Sequence, residues 1–380
     1  MKRGLLRILI ALSLAALACE NSAPATSTTT VRIDTPAEST ASIFNAGRTT
    51  FGFFPSPPEA SSESVLYHFQ ALGEHADFIL IQPNIPWEDF VDGVVGESER
   101  RTDLRNQTIL AQMNGLGWIF VVDPLNGLNR RAFLGLPDGW EASFANPDVR
   151  QAFTNFTLWI VREFAPHYLG LASEINTYLD AHPDDVENYM SLYREVYEKV
   201  KAEAPDMQVF VTFQWDDLNN MFATASEGRP AYQTNWEQVQ AFEPQLDLWV
   251  ISSYPYFAFP QGEGIPDDYY TPLLDRTEKP LAVAEGGWSS KPVGSIEGDP
   301  EGQVAYLQAI HDQIGERLDF WVYLILSDLN MESITRAVEE QGLTERDLNT
   351  LGMFAHIGLR YSDGTPKPAL ATWDNYRTSE

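Results

Sequence analysis

The feature that most restricts the fold is a recurrence: eight short apolar runs separated by longer stretches with helical periodicity. The runs are TFGFFP at 50–55, DFILIQP at 77–83, WIFVVDP at 118–124 and HYLGLAS at 167–173. They continue with QVFVTFQW at 208–215, LWVISSYP at 248–255, PLAVAEGGW at 280–288 and FWVYLILSD at 320–328. Most are continuously apolar rather than alternating, as expected of strands covered on both faces. Between them, residues 184–204 place Val186, Tyr189, Met190, Tyr193, Val196, Tyr197 and Val200 at steps of three and four, and Pro205 stops the pattern. Residues 148–164 and 300–318 read the same way. Such alternation builds a parallel sheet with helices outside it. An open doubly wound sheet is the rival, but no Gly-rich phosphate loop follows the first run. The expectation is an α/β chain with a single (β/α)8 TIM barrel over residues 46–380, about 335 residues against ~250 for a barrel before insertions.

Ahead of the barrel the pattern changes. Lys2, Arg3 and Arg7 precede an apolar run at 8–18, which is shorter than the ~20 residues a membrane span needs and reads as a signal peptide over 1–18. Ala16-Leu17-Ala18-Cys19 resembles the lipobox of bacterial lipoproteins, with Ala16 where Leu is usual. The resemblance implies lipidation of Cys19; a plain secretory signal with an incidental cysteine is the alternative. Residues 19–45 are rich in Ser and Thr, with little to bury, and read as a flexible linker. Together these features imply a location at the bacterial cell envelope, lipid-anchored and facing the periplasm or exterior. The membrane is then touched only through the anchor, and the barrel is expected to act as a monomer.

Composition excludes several chemistries. Cys19 is the only cysteine, so neither an intramolecular disulfide nor cysteine catalysis is available. The six histidines show no metal-ligand spacing, and no metal or cofactor is expected. A net charge of −29 repels nucleic acid and anionic lipid surfaces.

Active sites of such barrels lie at the C-terminal ends of the strands. After the fourth run comes Ser173-Glu174-Ile175-Asn176, and after the seventh Glu285-Gly286-Gly287-Trp288. Other ends carry Gln82, Asn84 and Trp87; Asp123 and Asn126; Gln214, Trp215 and Asp216; Tyr254, Tyr256 and Phe257. Carboxylates, amides and aromatic rings on one rim suit sugars, whose apolar faces pack on rings while their hydroxyls bond polar groups. Glu285 ends an apolar run, where an unpaired acid is misplaced, and two glycines after it would let a ligand approach. The alternative for Glu285 is a buried acid paired with an arginine inside the barrel. Glu174 alone reads as a solvated loop acid. Its placement on the fourth strand opposite Glu285 on the seventh raises both.

That pairing resembles clan A glycoside hydrolases. ASEIN at 172–176 resembles the clan's fourth-strand element, and AVAEGGWSS at 282–290 is similar to its nucleophile segment. VISSYPYFAF at 250–259 looks like the sixth strand of family 53 galactanases and family 17 β-1,3-glucanases. The resemblance implies a retaining glycoside hydrolase cleaving β-linked polysaccharide or oligosaccharide of galactan or glucan type. In that reading Glu174 is the acid/base and Glu285 the nucleophile, and the charge on Glu285 keeps Glu174 protonated. Tyr254 would orient Glu285. Trp288 and Trp87 are candidate sugar platforms, and Gln214 and Asp123 candidate hydroxyl binders. Ser173 stands where the clan has Asn, with Asn176 or a water as its substitute. Ser327-Asp328 stand where the clan often has Trp. The rival reading is a catalytically weak or inactive barrel that binds glycans at the cell surface, and Ser173 favours it.

Overall fold

The computed structural model describes residues 41–44, 47–93, 98–222, 230–262, 264–339 and 345–379. Residues 1–18, expected to be a signal peptide, lie outside the described residues, as do Cys19 and most of the expected linker.

Eight parallel strands close a barrel. They are β1 Thr50–Phe53, β2 Phe78–Ile81, β3 Gly117–Val121, β4 Tyr168–Gly170, β6 Trp249–Ser253, β7 Leu281–Gly286 and β8 Leu318–Tyr323, with β5 in two pieces, Gln208–Phe210 and Thr212–Gln214. Each pairs with its sequence neighbours, and β1 pairs with β8 through Thr50 and Phe320. The two pieces of β5 divide the work: the first pairs with β4 and the second with β6. The interruption at Val211 is therefore a step in one strand. All eight apolar runs become barrel strands. Continuous hydrophobicity is what this geometry demands, because one face of each strand fills the barrel and the other meets helices.

The main helices are α1 Ser62–His75, α2 Glu99–Met113, α3 Pro147–Phe164, α4 Ile175–Ala181, α5 Val186–Glu203, α6 Pro300–Ile314 and α7 Pro368–Thr378. Their starts are written locally. Ser61, Ser98, Asn146 and Asp299 cap α1, α2, α3 and α6 by accepting a hydrogen bond from a first-turn amide, and Pro147 and Pro300 sit at the first helical position. Two expected boundaries differ. The stretch at 184–204 begins with a 3-10 turn, Pro183–Asp185, before α5. The stretch at 300–318 leaves the α-helix at Ile314, turns through Gly315–Arg317, and gives Leu318 to β8.

Aromatic rings fill the lower barrel. Phe320 meets Tyr168, Phe210 and Phe78 from three other strands, with centroids 4.9, 5.9 and 6.0 Å away. Gly52 makes room for this, since a Cβ there would stand 2.5 Å from the Phe78 ring. Outside, Trp373 of α7 packs on Phe51, Phe53 and Trp321 and covers the β8–β1 seam. Among the described residues no helix is long and apolar enough to cross a membrane.

One element was not expected. A two-stranded antiparallel hairpin, Leu125–Asn126 with Asn129–Phe133, rises from the end of β3. Its turn contains Asn126-Gly127, and the Asn126 side chain accepts from the Leu128 amide 2.9 Å away. The hairpin carries Arg130 into the barrel mouth.

Candidate active site

The chain leaves β4 through an unusual backbone. Glu174 adopts the left-handed region at φ 50°, ψ 42° before α4 starts. A non-glycine residue there costs on the order of 1 kcal/mol. Local bonds hold it: the Glu174 amide donates to Thr212 Oγ1 at 2.7 Å, and Ser252 Oγ donates to Glu174 Oε1 at 2.6 Å. Glu285 reaches the same place from β7, held on both oxygens. Ser173 Oγ donates to its Oε1 at 2.6 Å and Tyr254 Oη to its Oε2 at 3.1 Å. Both glutamates are buried, 7% and 3% exposed.

Arg130 joins them. Its Nε donates to Glu174 Oε2 at 2.8 Å, its Nη2 reaches Glu285 Oε1 at 3.4 Å and Ser173 Oγ at 3.3 Å, and its Nη1 bonds Asp123. One planar guanidinium thus spans three carboxylates. Burial works against the charge on Arg130, but Asp123, Glu174 and Glu285 outweigh it and hold the group cationic. The arginine that sequence reasoning weighed for Glu285 is present, and it bonds Glu174 as well.

The carboxyl of Glu285 is pushed up to about 7. Burial is the main cause; Arg130 pulls it down, Glu174 pushes it up, the Ser173 hydrogen bond lowers it and Asp123 raises it. Burial raises Asp123 too, against the opposing pull of Arg130. The phenol of Tyr254 is raised well above its ordinary range by burial and then by Glu285, so it stays a neutral donor.

The remaining candidates separate by what they touch. Asp123 is not free for a sugar hydroxyl: its Oδ2 accepts from Gln82 Nε2 at 2.9 Å and from Arg130, and its Oδ1 from the Leu125 amide at 3.1 Å. It roots Arg130. Asn176 is also engaged within the protein. Its Oδ1 accepts from the Gln214 amide at 2.8 Å and its Nδ2 donates to the Gln214 carbonyl at 3.2 Å, tying α4 to β5. The Gln214 side chain is used locally, donating to Asp216 and accepting from the Asp217 amide.

Neither tryptophan offers an open face. Trp87, 2% exposed, donates from Nε1 to the Leu134 carbonyl at 2.7 Å and so anchors the hairpin that bears Arg130. Trp288, 5% exposed, lies under the start of α6, where a Cβ on Gly302 would come within 2.3 Å of its Nε1. The glycines after Glu285 also serve packing rather than ligand approach. A Cβ on Gly286 would stand 2.0 Å from Tyr306 Oη, and one on Gly287 3.2 Å from the Tyr323 ring. At the end of β8, Asp328 pairs with buried Lys367 at 2.6 Å, which also bonds Ser290 and the Gly358 carbonyl. The β8 end is thereby stapled to the C-terminal segment.

Sequence reasoning missed Arg130, Thr212 and Ser252. For Arg130 the signal was Asn126-Gly127, a hairpin turn directly after a strand end. Thr212 and Ser252 sit inside apolar runs and carried none. Among the described residues no group of three or more His, Cys, Asp or Glu could hold a metal ion.

No protein-family model and no curated protein matches the chain. Solved structures do. A GH5_18 protein from Bifidobacterium longum subsp. infantis is similar at 16% identity and TM-score 0.64, over 87% of this chain and 79% of that one. A GH5_18 variant from Bifidobacterium longum subsp. longum, solved with Manβ1-4GlcNAc, gives 15% and 0.62 over 87% and 78%. A structure from work on two fungal β-1,4-galactanases gives 12% and 0.50 over 86% and 93%. At these identities the likeness is one of fold: the barrel is shared with glycoside hydrolases of the kind the sequence resembles.

Proposed function

We propose that the chain is a retaining glycoside hydrolase acting on β-linked polysaccharide or oligosaccharide. The observation that carries this is the convergence of Glu174 and Glu285, from β4 and β7, within reach of one guanidinium at the barrel mouth. In the proposed reaction Glu285 attacks the anomeric carbon while Glu174 gives a proton to the departing oxygen; Glu174 then takes a proton from the water that releases the sugar. Tyr254 and Ser173 hold the two Glu285 oxygens in place. The motif resemblance favours galactan or glucan, and the neighbour solved with Manβ1-4GlcNAc adds β-mannoside to the substrates worth offering.

The test is a panel of β-galactans, β-glucans and β-mannans with reducing ends measured from pH 4 to 9. Attack requires ionised Glu285, and its carboxyl is pushed up to about 7. Below that pH the ionised fraction falls about tenfold per unit, so the acid limb of kcat/KM rises with pH toward an apparent pKa near 7. Binding without any release of reducing ends would instead support the glycan-binding reading. Both Glu174 oxygens being occupied is the observation that favours that second reading.

The same proposal extends to location. The basic leader, apolar run and Cys19 support a lipid-anchored envelope protein with a tethered barrel. Cys19→Ser is expected to move the protein to the soluble fraction without changing the barrel's melting temperature. Unchanged membrane association would remove the anchor from the account.

A further inference from the structure

We propose that Arg130 is a positioning residue that the substrate displaces: at rest its guanidinium fills the space between Glu174 and Glu285, and an entering sugar moves it off Glu174. This rests on the glycosidase reading above.

Three observations carry it. First, each oxygen of Glu174 already accepts a hydrogen bond, Oε1 from Ser252 and Oε2 from Arg130. A leaving-group oxygen that takes its proton from Oε2 meets the Arg130 cation there, so the Arg130 bond opens as the sugar enters. Second, the occupant is a planar, delocalised cation bonded to both glutamates. A retaining site places the anomeric centre between those two carboxyls as it gains positive charge. Guanidinium and sugar therefore compete for one volume and one pair of anions.

Third, Arg130 can move without disturbing the barrel. It stands on the hairpin, outside the barrel sheet, so its movement breaks no barrel pairing. Asp123 at the foot of that hairpin holds Nη1 and remains as an anchor when Nε leaves Glu174. The hairpin itself is tied by the Trp87–Leu134 bond and by His182 Nε2 against the Arg131 carbonyl at 2.7 Å. Retreat toward Asp123 leaves Glu174 with its Ser252 contact and one free oxygen.

The test separates access from acid catalysis. Glycosides of 2-deoxy-2-fluoro sugars with a 2,4-dinitrophenyl leaving group, in gluco, galacto and manno configuration, form the glycosyl-enzyme without a proton from Glu174. A Glu285 oxygen bonds the anomeric carbon as dinitrophenolate departs with the bonding pair. Intact-protein mass spectrometry on the full chain then yields an apparent dissociation constant and a limiting rate. Arg130→Met keeps most of the side-chain volume and is expected to tighten the apparent dissociation constant about tenfold, with Arg130→Lys in between.

The Met variant also loses the cation that pulls Glu285 down, so its acid limb should move above that of the wild type. A merely structural Arg130 predicts weaker binding and a lower melting temperature, so the direction of the change in the apparent dissociation constant, not the limb, separates the two readings. Should Arg130→Met not fold, Arg130→Lys decides. Binding equal to or weaker than wild type in the folded variant overturns the proposal alone, provided wild type is labelled on Glu285. If no configuration labels Glu285 in either protein, the glycosidase reading fails and this proposal falls with it.

Discussion

Glu285→Gln is expected to leave the barrel folded and glycan binding in place while turnover falls by about four orders of magnitude or more, the scale seen when a catalytic nucleophile is removed. The reason is chemical. The replacement is nearly isosteric, but an amide oxygen is too weak a nucleophile to form the covalent intermediate. The site tolerates the change sterically, since Ser173 and Tyr254 still find a group of the same shape. One donor then faces an amide NH2, and the unmade hydrogen bond costs about 1–3 kcal/mol in this buried place. A modest drop in melting temperature with intact circular dichroism is the expected signature. Ordinary activity in the variant would return Glu285 to the role of a buried acid neutralised by Arg130.

The second large effect belongs to Glu174. Glu174→Ala should slow hydrolysis of unactivated glycosides by ~10²–10⁴-fold, the usual worth of general acid help. Dinitrophenyl glycosides need no such help, so their first step should be nearly spared, and azide should accelerate release of the sugar by occupying the vacated base position. The variant also removes the Nε partner of Arg130. Equal loss on both substrate classes, with no azide effect, would deny Glu174 the acid/base role and leave it as one corner of an ion-pair cluster.

The barrel was legible in the sequence because its physics is repeated. Each strand is buried on both faces and each helix is buried on one, so continuous apolar runs recur eight times, with three-to-four-residue periods in stretches between them. The break of β5 at Val211 was invisible, because a step in a parallel strand leaves hydrophobicity unchanged. The two glutamates could be found because a strand end is a defined address and an acid closing the run Leu281-Ala282-Val283-Ala284 is anomalous there.

Their surroundings could not be found in the same way. Arg130 is brought to Glu285 from 155 residues away by a hairpin whose tertiary placement no local pattern encodes. Trp87 and Trp288 looked like platforms because ring type was known but orientation was not; one holds the hairpin and the other is wedged against Gly302. Asn176 likewise carries sugar-binding chemistry that goes into joining α4 to β5, and the Gln214 side chain is taken up by Asp216 and the Asp217 amide. Residue type names what a side chain can do, and packing decides whether it is still available.

The identity of the nucleophile is the point on which a retaining reaction at this site turns. Wild-type protein treated with the 2-deoxy-2-fluoro dinitrophenyl glycoside that labels it best can be digested with protease and the modified peptide sequenced by tandem mass spectrometry. One sugar per chain is expected, on Glu285, with no label in Glu285→Gln. A stable label on any other residue, or labelling that persists in Glu285→Gln, would contradict that assignment.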